Sequence, residues 1–126
     1  MRLLLDTSVL IDTLRLRQGR RELLAQLVRD GHTLATTALN VAELYAGMRP
    51  EEKEQTEAFL GALDCYELTA DAGRTAGSLK SKWARKGRTI TIADAIIAAI
   101  ALERGCTLVT DNRRDFSMPE LELYPL

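Results

Sequence analysis

The sequence is poor in the residues that build the commonest metal and disulfide sites. It has one histidine and two cysteines among 126 residues. A single histidine excludes a multi-histidine metal centre, and Cys65 and Cys106 form no CxxC pair. Both cysteines fall in strand-like segments and are interpreted as small core residues rather than as a disulfide. His32 follows a turn glycine and is expected at the surface.

The sequence also lacks charge imbalance and long apolar runs. The formal net charge is -1, so no global attraction to nucleic acid or membrane is predicted. No apolar run reaches about 18 residues, which argues against a transmembrane helix. The opening segment, MRLLLDTSVL, is too short for a signal peptide with a cleavage site. We therefore expect a cytoplasmic protein with no membrane partner.

Apolar residues make up 46% of the chain and charged residues 28%, as in one ordinary globular domain. Strands are predicted at 2–6, 33–37, 64–69, 107–111 and 121–126. Helices are predicted at 8–15, 19–31, 38–48, 50–63, 70–87 and 92–104. This alternation predicts an α/β fold with a mostly parallel sheet covered by helices on both faces. In such sheets ligands bind outside the carboxyl ends of the strands.

Acidic residues recur at the predicted carboxyl edge of this sheet. Asp6 ends the first strand, Asp111 ends a later strand, and Asp115 lies in the loop after it. Asp94 is in the first turn of an otherwise apolar helix, and Glu43 is in a helix of small and apolar neighbours, NVAELYAG. Carboxylates that converge without a buried base raise one another's pKa unless a cation neutralises them. Oxygen-only ligands of this kind suit Mg²⁺ or Mn²⁺.

Each acid also has a purely structural interpretation. Asp94 stands three residues after Thr91, as in a capping box, and an acid there suits the helix dipole. Asp6 can end its strand in an Asx turn, Glu43 can be a solvated helix residue, and Asp115 can be a turn residue. The occurrence of all four in the appropriate elements favours a shared site over independent structural roles.

At these residues the chain resembles the PIN-domain ribonucleases, and specifically the VapC-type toxins of toxin–antitoxin pairs. The matching segments are LLLDTSVLIDTL, TTALNVAELYAGM and TIADAIIAAIALERGCTLVTDNRRDF, which follow one another over nearly the whole chain. The family's Thr-x-Asn-x-x-Asp-Phe segment is met by Thr110, Asn112, Asp115 and Phe116, with Asp111 in the variable place.

The resemblance implies a single nuclease domain over residues 1–126, with a Rossmann-like three-layer sandwich. It implies a metal-dependent endoribonuclease in which Asp6, Glu43, Asp94 and Asp115 are the catalytic, metal-binding acids. The residues expected to support these acids are Thr7, Ser8, Thr110, Asn112 and Asp111. The hypothesis is that Mg²⁺ (or Mn²⁺) on Asp6 and Asp94 activates water, with Glu43 and Asp115 acting through water or a second ion.

Something must hold RNA against an acidic site. The segment KSKWARKGR has five cations, and with a residue near Asp115 they give the RNA-binding candidates Lys80, Lys82, Arg85, Lys86, Arg88 and Arg113. Trp83 lies among them and either stacks on a base or anchors the helix in the core. The alternative for the cations is an exposed helix end where lysines suit the dipole.

Partners follow from the resemblance: an RNA substrate, a VapB-like antitoxin that wraps the toxin, and a second copy in a homodimer. The segment 50–63 with Leu44, Tyr45 and Met48 is a possible contact surface, and Gly73 and Gly77 permit close helix packing. The alternatives are a catalytically degenerate PIN-like RNA- or protein-binding module and, remotely, a receiver-like signalling domain. No lysine follows Lys86, which argues against a receiver, and Asp6 is followed by TSV, which argues against a DxD phosphatase.

Overall fold

The computed structural model describes residues 1–126, which form six α-helices and four β-strands. The strands are β1 (Arg2–Leu5), β2 (Thr33–Thr37), β3 (Asp64–Tyr66) and β4 (Thr107–Val109). The helices are α1 (Thr7–Leu14), α2 (Arg20–Arg29), α3 (Ala38–Gly47), α4 (Lys53–Gly61), α5 (Ala70–Arg85) and α6 (Ile92–Glu103). Short 3₁₀ turns lie at Pro50–Glu52 and Arg113–Phe116.

The four strands form one sheet, all parallel, in the order β3-β2-β1-β4. Leu3 pairs with Leu34 on one side and with Thr107 on the other, so β1 is central. The run Leu3–Leu5 is wholly buried because both faces of a parallel sheet are covered by helices. The predicted α/β class, with a sheet between helical layers, is confirmed.

The two faces of the sheet support two separate apolar clusters. Side chains alternate along β1, so Leu4 packs with α5 and α6 while Leu3 and Leu5 pack with α1 and α2. The apolar helix α6 is buried along most of its length, including Ile97 and Ile100. Because all four strands are parallel, their carboxyl ends lie at the same edge of the sheet.

Several predicted elements are wrong or shorter than expected. Segment 121–126 is not a strand: it meets β4 in one isolated bridge, Leu108 with Leu123, and Pro125 has no N–H to extend the ladder. Segment 50–63 divides into the 3₁₀ turn Pro50–Glu52 and α4, and the predicted strand 64–69 ends at Tyr66. The other boundaries lie within two residues of prediction, a usual degree of uncertainty at helix and strand ends.

Some single-residue expectations are also corrected. Cys106 is buried as predicted, but Cys65 is exposed because β3 is an edge strand. Both thiols are free, which agrees with the absence of a predicted disulfide. Leu44 is 5% exposed in the core and is not contact surface. No helix combines the length and the apolar character needed to cross a bilayer.

Candidate active site

Asp6 follows β1 directly and is the most constrained acid of the site. It is 8% exposed and is also the N-cap of α1, since its Oδ1 accepts the Thr7 backbone N–H at 2.9 Å. Oδ1 accepts a further bond from Asn40 Nδ2 at 3.3 Å. Oδ2 accepts the Thr110 hydroxyl, from the end of β4, at 2.7 Å. Donors from three segments of the chain therefore stabilise a carboxylate at the middle of the sheet edge.

Glu43 reaches the same place from α3. Its side chain is exposed, and its Oε1 accepts the Thr7 hydroxyl at 2.8 Å. Thr7 in turn accepts a hydrogen bond from Asn40 Nδ2 at 2.9 Å. Asn40 and Glu43 are three residues apart on one helix face, so both point toward the start of α1. A short hydrogen-bonded chain thus connects Glu43 to the surroundings of Asp6.

Asp94 is near the N-terminus of α6, where Thr91 is the N-cap and accepts the Asp94 backbone N–H at 3.1 Å. Burial raises the pKa of the half-buried Asp94 carboxyl, a hydrogen bond with Thr91 opposes the shift, and the charges of Asp6, Asp115 and Glu43 raise it further. The capping interpretation is thus correct for Thr91, whose hydroxyl caps the helix. The Asp94 carboxylate itself lies in the common field of the four acids.

Asp115 is exposed in the 3₁₀ turn after β4 and has one side-chain hydrogen bond, from Asn112 Nδ2 at 2.8 Å. The Asn112 backbone N–H donates to Thr110 Oγ1 at 2.9 Å. This fixes the start of the loop to the same threonine that bonds Asp6. Asp115 therefore belongs to the acidic group but is held by a single local contact.

Asp111 has a different partner. Its Oδ1 accepts from Arg20 Nη2 at 2.6 Å, which attaches the start of α2 to the end of β4. A carboxylate neutralised by a guanidinium is a poor candidate for a cation ligand. Asp111 is therefore a structural contact beside the acidic group.

The basic residues predicted to bind RNA are largely engaged within the chain. Lys80 donates to the Ile90 carbonyl at 2.6 Å, Arg88 to the Arg114 carbonyl at 2.9 Å, and Arg113 to the Tyr124 carbonyl at 2.9 Å. These contacts leave the cationic charge at the surface, but they fix its position.

Trp83 is 8% exposed in the larger core cluster, so it is a core anchor and not a stacking platform. Three cationic side chains lie close to the centroid of the Trp83 ring: Lys82 at 5.9 Å, Lys86 at 4.9 Å and Arg88 at 5.3 Å. Cations placed over an indole face are attracted by it. Lys82 also approaches Glu120 at 3.6 Å. The tryptophan thus organises a cationic surface next to the α5–α6 loop that leads to Asp94.

The acidic group fits a hard divalent cation by its chemistry. All its donors are oxygens, with no histidine or cysteine among them, which suits Mg²⁺ or Mn²⁺ and not Zn²⁺. The buried Ser8 hydroxyl, two residues after Asp6, has no hydrogen-bond partner in the chain. No three acidic, histidine or cysteine side chains are gathered closely enough to enclose an ion. Magnesium sites often use one or two carboxylates with several waters, so the group fits without a complete protein cage.

Comparison with known proteins places this chain in a family. The PIN domain model matches residues 3–119. The chain is 36% identical over 120 residues to ribonuclease VapC19 of Mycobacterium tuberculosis, covering 94% of this chain and 96% of that protein. This chain belongs to the PIN domain family, as a ribonuclease of the VapC type.

Other VapC proteins agree along the full length. Ribonuclease VapC10 of Mycobacterium tuberculosis is 32% identical over 118 residues, covering 94% of this chain and 88% of that protein. The crystal structure of VapBC2 from Rickettsia felis, bound to a DNA fragment from its promoter, superposes with a TM-score of 0.88 at 25% identity. That match covers 98% of both chains. VapC proteins are the toxins of VapBC toxin–antitoxin systems.

One residue of this VapC-type site was not predicted. Asn40 is wholly buried and bonds both Asp6 and Thr7, yet an asparagine inside a helix is usually read as a solvent-facing residue. The sequence did hold a signal. Asn40 is three residues before Glu43, on the same helix face, and three residues after Thr37, which ends a predicted strand.

Proposed function

We propose that the chain is a Mg²⁺-dependent endoribonuclease, the toxin of a toxin–antitoxin pair, that hydrolyses RNA phosphodiesters with water. Residues 1–126 act as one nuclease domain. The observation that supports this best is the convergence of Asp6, Glu43, Asp94 and Asp115 at one edge of the sheet with no cationic side chain bonded to any of them. Arginine pairs instead with Asp111, outside the group.

Asp6 and Asp94 are proposed as the direct ligands, with Glu43 and Asp115 acting through water or a second ion. When bound, Mg²⁺ or Mn²⁺ lowers the pKa of a water and stabilises charge on a phosphoryl oxygen. The chain's own contribution is to orient the acids: Thr110 and Asn40 hold Asp6, Thr7 holds Glu43, and Asn112 holds Asp115. The pKa of Asp94 is raised because burial and the neighbouring acids disfavour its charged form, and a bound cation would stabilise that form.

The test is cleavage of total tRNA and rRNA by purified, antitoxin-free protein with Mg²⁺, with Mn²⁺ and with EDTA. Asp6→Asn is the control, since asparagine preserves the cap of α1 but removes the charge. We expect metal-dependent cuts that leave a 5′-phosphate and a 3′-hydroxyl and that disappear in the variant. A 2′,3′-cyclic phosphate would contradict the mechanism, because it arises from attack by the RNA's own 2′-hydroxyl. Absence of cleavage with every metal would favour the degenerate, binding-only module.

RNA is proposed to enter over the cationic surface formed by Lys82, Arg85, Lys86 and Arg88. Arg85 and Lys86 are exposed at the end of α5, and neither has a carboxylate partner. The double variant Arg85→Ala with Lys86→Ala should raise KM with little change in kcat. The slope of log affinity against log salt should fall by roughly 0.7 per lost phosphate contact. An unchanged slope would place the RNA elsewhere.

The antitoxin is proposed to dock on an apolar groove between α1, α2 and α4. The groove has a volume of about 760 Å³, and ten of its 13 lining residues are hydrophobic, including Leu16, Val28 and Phe59. Leu16 and Val28 are 66% and 56% exposed, which is unusual for large apolar side chains that lie together. The solved relative from Rickettsia felis is a VapBC complex, which supports a VapB-like partner for this chain. Val28→Glu should weaken antitoxin binding and leave RNA cleavage unchanged.

A homodimer and a cytoplasmic location complete the proposal. Gly73 and Gly77 are exposed on α5, and a Cβ at either would meet nothing within 4 Å, so they serve no close packing within this chain. This leaves their exposed face available to a second copy. Sedimentation of the free protein measures the oligomeric state directly.

A further inference from the structure

Asn40 is a completely buried polar residue whose amide NH₂ is bonded to Asp6 and Thr7 and whose amide oxygen is bonded to Thr37. It is 0% exposed, and its amide bonds three side chains: Asp6, Thr7 and Thr37. A buried amide with a full set of partners is strongly oriented, because each lost bond would leave an unpaired polar group.

The direction of every proton in this network is fixed by chemistry. The Glu43 carboxylate only accepts, so the single proton of the Thr7 hydroxyl goes to Glu43 Oε1 at 2.8 Å. Thr7 Oγ1 must then accept from Asn40, which places the amide NH₂ toward Thr7 and Asp6. The amide oxygen consequently faces Thr37, whose hydroxyl donates to it at 2.7 Å. Only one orientation of the amide satisfies all partners.

Helix formation does not explain this asparagine. The cap of α3 is made by the Asn40 backbone N–H, which donates to Thr37 Oγ1 at 3.1 Å, and any residue except proline retains that bond. Asparagine is a weaker helix former than leucine, and burying its amide has a desolvation cost. Leucine has the same branched shape but cannot form these hydrogen bonds. The hydrogen bonds to Asp6, Thr7 and Thr37 are therefore the reason for an asparagine at position 40.

We propose that Asn40 is a positioning residue that sets Asp6 and Glu43 at a fixed separation before the metal binds. It acts on Asp6 directly and on Glu43 through Thr7. This inference rests on the proposed metal-dependent nuclease, and it adds a residue from α3 that touches neither substrate nor metal. Thr37 completes the network by holding the amide oxygen.

The test is Mn²⁺ binding to the purified full-length protein, followed by electron paramagnetic resonance, with thermal unfolding measured in parallel. The variants are Asn40→Leu, Thr7→Val and the two combined. Thr56→Val is the matched control: Thr56 is 1% exposed, and its hydroxyl bonds the Glu52 carbonyl and none of the four acids.

We expect Asn40→Leu to weaken Mn²⁺ binding by about 10-fold or more, in the range of residues that orient metal ligands. Thr7→Val should weaken it less, and Thr7→Ser should restore it. The double variant should lose less than the product of the two single losses, because both residues act in one chain to Glu43. Thr56→Val should lower the melting temperature without changing the Mn²⁺ affinity.

The inference is overturned if the wild type binds Mn²⁺ and Asn40→Leu binds it equally well below its melting temperature. If Asn40→Leu does not fold, the Thr7→Val and Thr7→Ser pair decides the point: equal Mn²⁺ affinities would overturn the connection to Glu43. A wild type that binds no Mn²⁺ and cuts no RNA would overturn the proposed function itself.

Discussion

Asp6 and Asp94 belong to one acidic group but are held in opposite ways. Asp6 is buried, both of its oxygens accept bonds from distant segments, and one of these donors is the buried Thr110. Asp94 and Asp115 are more exposed, and their contacts come from residues three positions away in the sequence. One half of the site is fixed by the tertiary fold, while the other half is supported locally. In the proposed mechanism, the rigid half would define the metal position and the adjustable half would complete the ligands.

Asp94→Asn should give the largest effect on activity, because it removes a proposed direct ligand. Cleavage should fall by about 100-fold or more, given that a metal supplies several kcal/mol of transition-state stabilisation. The free energy of unfolding of the metal-free protein should instead increase in this variant. The folded-state pKa of Asp94 is raised, so its ionised form destabilises the fold above that pKa.

In metal-free buffer at pH 7, Asp94→Asn should therefore unfold at higher denaturant than the wild type, and the gap should narrow as the pH falls and Asp94 becomes protonated. Added Mg²⁺ should stabilise the wild type and not the variant. A variant that only loses stability, with cleavage intact, would return Asp94 to a purely structural role at the helix end.

Thr110→Val tests the rigid half. It removes the 2.7 Å bond to Asp6 and should reduce cleavage by about 10- to 100-fold, with a stability loss of about 1–3 kcal/mol. Thr36→Val is the matched control, a buried threonine whose hydroxyl bonds the Leu5 carbonyl. Single-turnover kinetics and urea unfolding separate the two: the control should lose stability but little activity.

Asn112→Ala tests the adjustable half. It removes the one side-chain bond to Asp115, and because that carboxylate is exposed and can reorient, cleavage should fall by less than about 10-fold. The free energy of unfolding should change by about 0.5 kcal/mol or less. A loss as large as that of Thr110→Val, measured in the same assay, would show that both halves are equally constrained.

Asp111→Asn should give the smallest effect. Its carboxylate is paired with Arg20, so cleavage should stay within about two-fold and stability should fall by about 1 kcal/mol or less. Asp115→Asn, four residues later in the same loop, is the comparison and should lose more activity at less cost in stability. The reverse order would assign the metal-side role to Asp111.

The sequence predicted the elements whose patterns are repetitive. The continuous apolar run of β1 and the buried α6 could be identified from hydrophobicity alone. Asp6 after β1 and Asp94 in the first turn of α6 were visible as charges at the ends of these elements. The prediction of a final strand was wrong because the apolar alternation in LELYPL does not reveal that pairing stops at one bridge before Pro125. Burial of Cys65 was wrong because strand order, and therefore which strand lies at an edge, is not encoded locally.

The contacts of the site could not be predicted for a related reason. Asn40 and Asp111 owe their roles to partners 34 and 91 residues away, Asp6 and Arg20 respectively. Sequence spacing shows which residues share a helix face, but it does not show which side chains meet across the sheet. The acids were recognisable as a set, whereas their hydrogen-bond partners required the fold.

The pairing of β1 with β4 has a consequence for how the protein folds during its synthesis. Asp6 is synthesised 104 residues before Thr110, yet its backbone amide bonds Val109 and its carboxylate bonds Thr110. Domains of this kind complete such long-range contacts only when nearly all of the chain has been synthesised. A nascent or prematurely terminated chain therefore lacks an assembled acidic site.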